Sequence, residues 1–255
     1  MYKKKYGQNF LVNQNISKKI LFNEKIKKRN ILEIGTGNLA LSKFIISNRP
    51  KKFLGVEVDK DLSDIYLKNE ISDKIIFEDA LKIDERKFFN NENFSIISNL
   101  PFNISSELVI KWCKIQNSYN CIDNMVLMFQ KELAERIIAK KDTKKFGRLS
   151  IICNAFFSIK KKLLVSKNNF FPIPKVDAMV LNFIPHKINK IKKKNFDKLE
   201  KITRIFFNER RKINKKKIIR NFSVSKIEKY NLENLYNLRA ENIDKEIFFK
   251  LSDIL

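Results

Sequence analysis

Asn99-Leu100-Pro101-Phe102 combines an amide side chain, main-chain carbonyls beside a proline, and a flat aromatic ring. Such a set can accept hydrogen bonds from an exocyclic amine and stack on the planar base that carries it. Three groups upstream suit a nucleoside. Gly35 and Gly37, in Glu33-Ile34-Gly35-Thr36-Gly37, let backbone N–H groups approach a ligand closely. Glu57 follows Gly35 by about twenty residues, the distance at which an acid accepts from both hydroxyls of a ribose. Asp79, in Phe77-Glu78-Asp79-Ala80, is placed to reach an adenine amine. A lone G-x-G is weak by itself, and Leu39 stands where a dinucleotide loop carries its third glycine. That argues against tight pyrophosphate docking and for a nucleoside ligand without phosphate.

Each of these groups follows an apolar run of strand length. Strands are expected at 30–34, 53–58, 74–77, 94–98 and 125–129, with a later β-rich pair near 149–159 and 179–184. Residues 104–115 have helical spacing, with Ser105 or Ser106 as the N-cap candidate and Glu107 close behind. The alternation predicts βαβ units with right-handed crossovers, and a parallel sheet whose carboxyl edge takes the ligand. The fold class is therefore α/β, a Rossmann-like sheet over residues 1–185. A small α-helical domain is expected over 186–255.

Lys and Arg number 53 against 28 Asp and Glu, a net charge of +25, while 44% of residues are hydrophobic. This describes a globular protein with a basic surface and a polyanionic partner, not a disordered polycation. The excess concentrates late. Residues 187–220 hold fifteen Lys or Arg, offset only by Asp197, Glu200 and Glu209. Phe196, Leu199, Ile202, Phe206 and Ile213 recur there at helical intervals, predicting a buried stripe beneath a phosphate-facing exterior. Apolar runs such as 125–129 are far too short to span a bilayer, and no secretory signal is visible. Cys113, Cys121 and Cys153 show no metal-ligand pairing, and His186 lies far from them, so reduced structural thiols in the cytoplasm and no metal are expected.

In order along nearly the whole chain, these elements resemble the rRNA adenine N6-dimethyltransferases, specifically their bacterial small-subunit branch. Tyr6-Gly7-Gln8-Asn9-Phe10-Leu11 matches the family's entry segment, and Asn99-Leu100-Pro101-Phe102-Asn103-Ile104-Ser105 its catalytic signature. Gln130-Lys131-Glu132, Phe146-Gly147-Arg148-Leu149-Ser150 and Phe170-Phe171-Pro172-Ile173-Pro174-Lys175-Val176-Asp177 match as well. So do Phe206-Phe207-Asn208-Glu209-Arg210-Arg211-Lys212 and Leu238-Arg239-Ala240-Glu241-Asn242-Ile243.

The resemblance implies S-adenosylmethionine held by Asn9, Leu11, Gly35, Glu57, Asp79 and Asn99, with Asn99, Leu100, Pro101 and Phe102 catalytic. It implies Phe102 and Phe170 stacking on the substrate base, and Arg210, Arg211 and Lys212 binding RNA. It further implies double methylation of N6 on two adjacent adenosines near the 3′ end of small-subunit rRNA, by a monomer acting in subunit biogenesis. Two departures stand out. Phe102 replaces the usual Tyr, and Leu39 replaces Gly or Ala, which is expected to narrow the cofactor loop. Three rivals share part of the pattern: a large-subunit methyltransferase of the macrolide-resistance type, a non-catalytic assembly factor, and a nicotinamide-dependent dehydrogenase.

Overall fold

The computed structural model describes residues 6–255. Its strands are β1 (Phe10–Leu11), β2 (Asn30–Ile34), β3 (Lys52–Glu57), β4 (Ile75–Phe77), β5 (Phe94–Asn99), β6 (Ile122–Gln130), β7 (Phe157–Val165), β8 (Phe170–Phe171) and β9 (Ala178–Pro185). The helices are α1 (Gln14–Leu21), α2 (Ser42–Ser47), α3 (Ser63–Lys68), α4 (Glu85–Phe88), α5 (Ser105–Tyr119), α6 (Lys131–Ile137), α7 (Arg148–Asn154), α8 (Phe196–Asn208), α9 (Lys215–Asn221), α10 (Val224–Lys229) and α11 (Lys245–Ile254).

Seven strands form one sheet in the order β4-β3-β2-β5-β6-β9-β7. The pairs β3–β4, β2–β3, β2–β5 and β5–β6 are parallel, and β9 runs antiparallel to β6. Every residue of β2 is buried, as is nearly every residue of β3 and β5. That is the signature of parallel strands covered on both faces, and it is why they read as continuous apolar runs. The chain moves outward from β2 through β3 to β4, then returns to β5 on the other side of β2. This reversal makes a switch point between β2 and β5, where a crevice opens at the carboxyl ends. A separate two-stranded sheet pairs Phe10 with Phe171 and Leu11 with Phe170.

The chain divides into two compact units, one of residues 1–112, 120–134 and 159–185, the other of 113–119, 135–158 and 186–255. The second unit thus draws in two segments that lie before the expected cut at 185. Within it, α8 buries Phe196, Leu199, Ile202, Thr203 and Phe206, and the Phe206 ring meets Phe248 of α11 edge-on at 5.4 Å between centroids. Ile213 lies outside α8 and is exposed, so the apolar stripe ends at Phe206.

The strand expected over 149–159 holds only at its end, where β7 begins at Phe157, and is corrected before that. Residues 148–154 form α7, with Gly147 before it and the Ser150 hydroxyl accepting from the Gly147 N–H at 3.1 Å. Its residues 150–153 are all buried, and a fully buried short helix carries no polar face to reveal its period. No helix among the described residues is long and apolar enough to cross a membrane. The three cysteines are buried thiols.

Candidate active site

A cleft of about 280 Å³ opens in the first unit, where β2, β3, β4 and β5 end. It is lined by residues that the sequence spreads from Tyr6 to Ile104. Asn9, Leu11, Gly35, Glu57, Asp79, Asn99, Leu100, Pro101 and Phe102 all stand on its wall. Phe170 does not. It is 2% exposed and packs in the core with Leu11, while Phe171 beside it is 64% exposed. Alternation along β8 turns one ring inward and the next outward, so the ring expected to stack on a base is interior here.

Gly35 leaves β2 at φ +72°, its N–H donating to Val56 O at 2.8 Å. A β-carbon there would lie 3.2 Å from the Pro101 ring, so the glycine lets the signature proline close over the loop. The peptide N–H of Gly37 donates to Glu57 Oε2 at 3.0 Å, and those of Val58 and Asp59 donate to Oε1 at 2.9 and 3.0 Å. The three donors aim both carboxylate oxygens. Burial raises the Glu57 carboxyl above its ordinary range, and the N–H groups of Asp59, Gly37 and Val58 pull it back. Tyr66, which sequence reasoning missed, is buried beneath the loop. Its hydroxyl accepts from Thr36 Oγ1 at 3.0 Å and donates to Gly37 O at 3.2 Å.

Leu39 does have a left-handed backbone, φ +66°, as the glycine it replaces would. Its side chain is fully buried in the hydrophobic core and does not line the cleft, so it leaves the cofactor loop unnarrowed.

Asn99 ends β5. Its Nδ2 donates to the main-chain carbonyl of Asn9 at 3.1 Å, which fixes the amide plane. Its Oδ1 is buried and has no partner among the described residues. A buried acceptor without a donor costs about 1–3 kcal/mol, so a ligand donor that fills the position recovers that free energy. Phe102, half-buried on the core, presents its ring to the same wall. Ser105 begins α5 and donates to Phe102 O at 3.1 Å, tying the turn to the helix. Asp79 Oδ1 accepts from Leu81 N at 3.0 Å, and its Oδ2 lies 3.8 Å from the exposed Lys82 ammonium.

Glu33, Glu57, Glu78 and Asp79 line the cleft, and among its described lining residues there is no Lys, Arg or His. Glu33 apart, whose carboxyl stays largely protonated near neutral pH, these acids repel phosphate and suit a neutral or cationic nucleoside. Burial pushes the Glu33 carboxyl up to about 8, against the bond it accepts from Ser42 Oγ at 2.6 Å, and nearby Glu57 adds to the rise. Glu33, Glu78 and Phe10 on this wall were also missed. Glu33 reads as part of a buried strand, and Phe10 lies inside the matched entry segment without an obvious role.

In the second unit, Arg210 donates through Nε and Nη2 to Glu241 Oε2 at 2.7 and 2.5 Å, and through Nη2 to Thr143 O at 3.3 Å. Lys212 pairs with Glu209 at 2.5 Å. Arg211 is exposed. Of the three residues expected to meet RNA, Arg210 is tied to Glu241 and Thr143, with its side chain 36% exposed.

The model of the ribosomal RNA adenine dimethylase family matches residues 1–255. A relative from Pelagibacter ubique, named ribosomal RNA small subunit methyltransferase A, is 41% identical over 98% of this chain and 95% of its own length. A protein of the same name from Malacoplasma penetrans is 39% identical over 97% and 90%. The crystal structure of a dimethyladenosine transferase from Plasmodium falciparum superposes with a TM-score of 0.78 at 26% identity, covering 95% of both chains. That of the 23S rRNA methyltransferase ErmE gives 0.70 at 18% identity over 97% and 99%, a likeness of fold. This chain belongs to the ribosomal RNA adenine dimethylase family.

Proposed function

We propose that this protein transfers methyl groups from S-adenosylmethionine to N6 of two adjacent adenosines near the 3′ end of small-subunit rRNA. The observation that carries the reading is the buried, unpaired Asn99 Oδ1 on the wall of an acidic cleft. When bound, the cofactor supplies an electrophilic methyl group on a sulfonium sulfur. Glu57, oriented by three peptide N–H groups, would hold its ribose, and Asp79 its adenine amine. The absence of cationic lining fits a ligand that bears positive charge and no phosphate.

Adenine N6 is a weak nucleophile because its lone pair is delocalised into the ring. Asn99 Oδ1 and the Leu100 carbonyl accept its two hydrogens and draw the nitrogen toward tetrahedral geometry. Phe102 stacks on the extruded base, a contact worth about 1–3 kcal/mol that does not depend on neighbouring sequence. Loss of the Tyr hydroxyl at this position leaves the stacking face intact. The alkylated amine is a strong acid and gives its proton to water, so the cleft needs no histidine or cysteine. Positioning and electrostatics carry the rate.

Relatives at 36–41% identity that bear the small-subunit name favour that substrate over the large subunit. The intact Asn99–Phe102 turn favours an enzyme over a purely architectural factor. The acidic lining disfavours a nicotinamide dinucleotide. Cytoplasmic action as a monomer during subunit biogenesis completes the proposal, with Arg211 and the cationic exterior of 187–220 facing rRNA. The test is transfer of labelled methyl from S-adenosylmethionine to undermodified small subunits. Label in the RNA with wild-type protein is expected, and no transfer would overturn the reading.

A further inference from the structure

Beside the cleft, in the same unit, runs a groove of about 310 Å³ formed by residues 7–9, Gln130 and residues 172–175. It shares Gly7, Gln8 and Asn9 with the cleft, so a chain leaving one enters the other. Its electrostatics are opposite in sense. Among the described residues that line the groove none is acidic, and Lys175 at its edge is exposed. One side of it is apolar, formed by Pro172, Ile173 and Pro174 across from Gln8, Asn9 and Gln130, with Ile173 61% exposed and neighbouring Phe171 64% exposed. The core does not use these two side chains. An exposed apolar ledge next to a cation, continuous with a cleft that takes a base, suits a nucleotide.

We infer that this groove holds the nucleotide adjacent to the target adenosine on the same strand. Its base lies against Phe171 and Ile173, and its phosphate meets Lys175. The inference rests on the reading of the cleft as a methyl-transfer site. It adds a subsite that keeps the strand taut on one side while the target base is extruded. It also assigns a role to Phe171, whose ring faces outward where Phe170 faces in.

The probe is a short single-stranded RNA with two adjacent adenosines and 2-aminopurine at the flanking position. Binding is followed by anisotropy at low salt, where a net charge of +25 ensures association. Wild-type protein is expected to change the 2-aminopurine emission on binding. Phe171→Ala with Ile173→Ala abolishes that change and weakens RNA binding about 10-fold, the low end of a stacking contact. Lys175→Ala lowers the slope of log Kd against log salt by about 0.7, one single-strand phosphate.

All three side chains are exposed, and unchanged thermal midpoints confirm that the variants fold. Emission that is the same in wild type and variants overturns the groove, provided wild type still methylates small subunits. Absence of methylation by wild type overturns the cleft reading instead.

Discussion

Replacing Asn99 with alanine separates function from stability. The substitution breaks the Nδ2 bond to Asn9 O, 3.1 Å long, a loss of about 1 kcal/mol. It also removes a buried oxygen with no partner among the described residues, whose desolvation costs about 1–3 kcal/mol. The two effects oppose each other, so folding stability should change by no more than about 1–2 kcal/mol. For a chain of this length that is a shift of roughly 2–8 °C in Tm. The rate follows a different ledger. An acceptor aimed at the reacting amine contributes only during transfer, and losing one oriented hydrogen-bonding group of this kind lowers kcat by about 10²–10³. Cofactor affinity, set mainly by Glu57, should stay within about threefold. The assay is single-turnover methyl transfer at saturating cofactor and subunit, with calorimetric titration of cofactor and a thermal melt on the same sample. A kcat within tenfold of wild type, or a parallel collapse of rate, cofactor affinity and Tm, would refute the reasoning by making Asn99 a structural residue.

Glu57→Ala should weaken S-adenosylmethionine binding by about 10²- to 10⁴-fold, since it removes two hydrogen bonds from a charged acceptor worth roughly 1.5–3 kcal/mol each; normal affinity by calorimetry removes Glu57 from the site. Glu33 has its carboxyl raised from 4.5 to about 8 in the fold. The native state therefore binds the extra proton between those values, and stability falls as pH rises through that window. Glu33→Gln abolishes the slope, and denaturant titrations from pH 5 to 8 should show wild type losing on the order of 3–5 kcal/mol relative to the variant; parallel curves would contradict this. Arg210→Ala breaks the clamp on Glu241 and Thr143 O, and should lower Tm with little change in the salt dependence of RNA binding. Arg211→Ala should do the reverse, and a lowered Tm in both would assign both to structure.

The ligand-facing half of the fold was legible because parallel strands announce themselves. Residues 30–34 match β2, and the ends of β3 and β5 fall within one residue of expectation. The groups that follow each strand converge because strand ends in such a sheet must converge. What was illegible depended on direction and not on residue type. Phe170 and Phe171 are identical in sequence, and only pairing with β1 decides which ring turns inward.

Leu39 looked like an obstruction to the loop. It instead accepts a left-handed backbone, about 1–2 kcal/mol of strain, offset by complete burial of an aliphatic side chain. Residues 149–154, the start of the strand expected over 149–159, read as strand because every side chain at 150–153 is buried and the helical period is hidden. Arg210 carried the right charge for RNA, but its partners Glu241 and Thr143 are distant in sequence.

Mass spectrometry of rRNA fragments, after incubating the protein with labelled cofactor and separately with undermodified small and large subunits, locates the methyl groups directly. The account predicts two neighbouring N6,N6-dimethyladenosines near the 3′ end of the small-subunit RNA. Methyl groups on a large-subunit adenine, or on any atom other than N6, would contradict it.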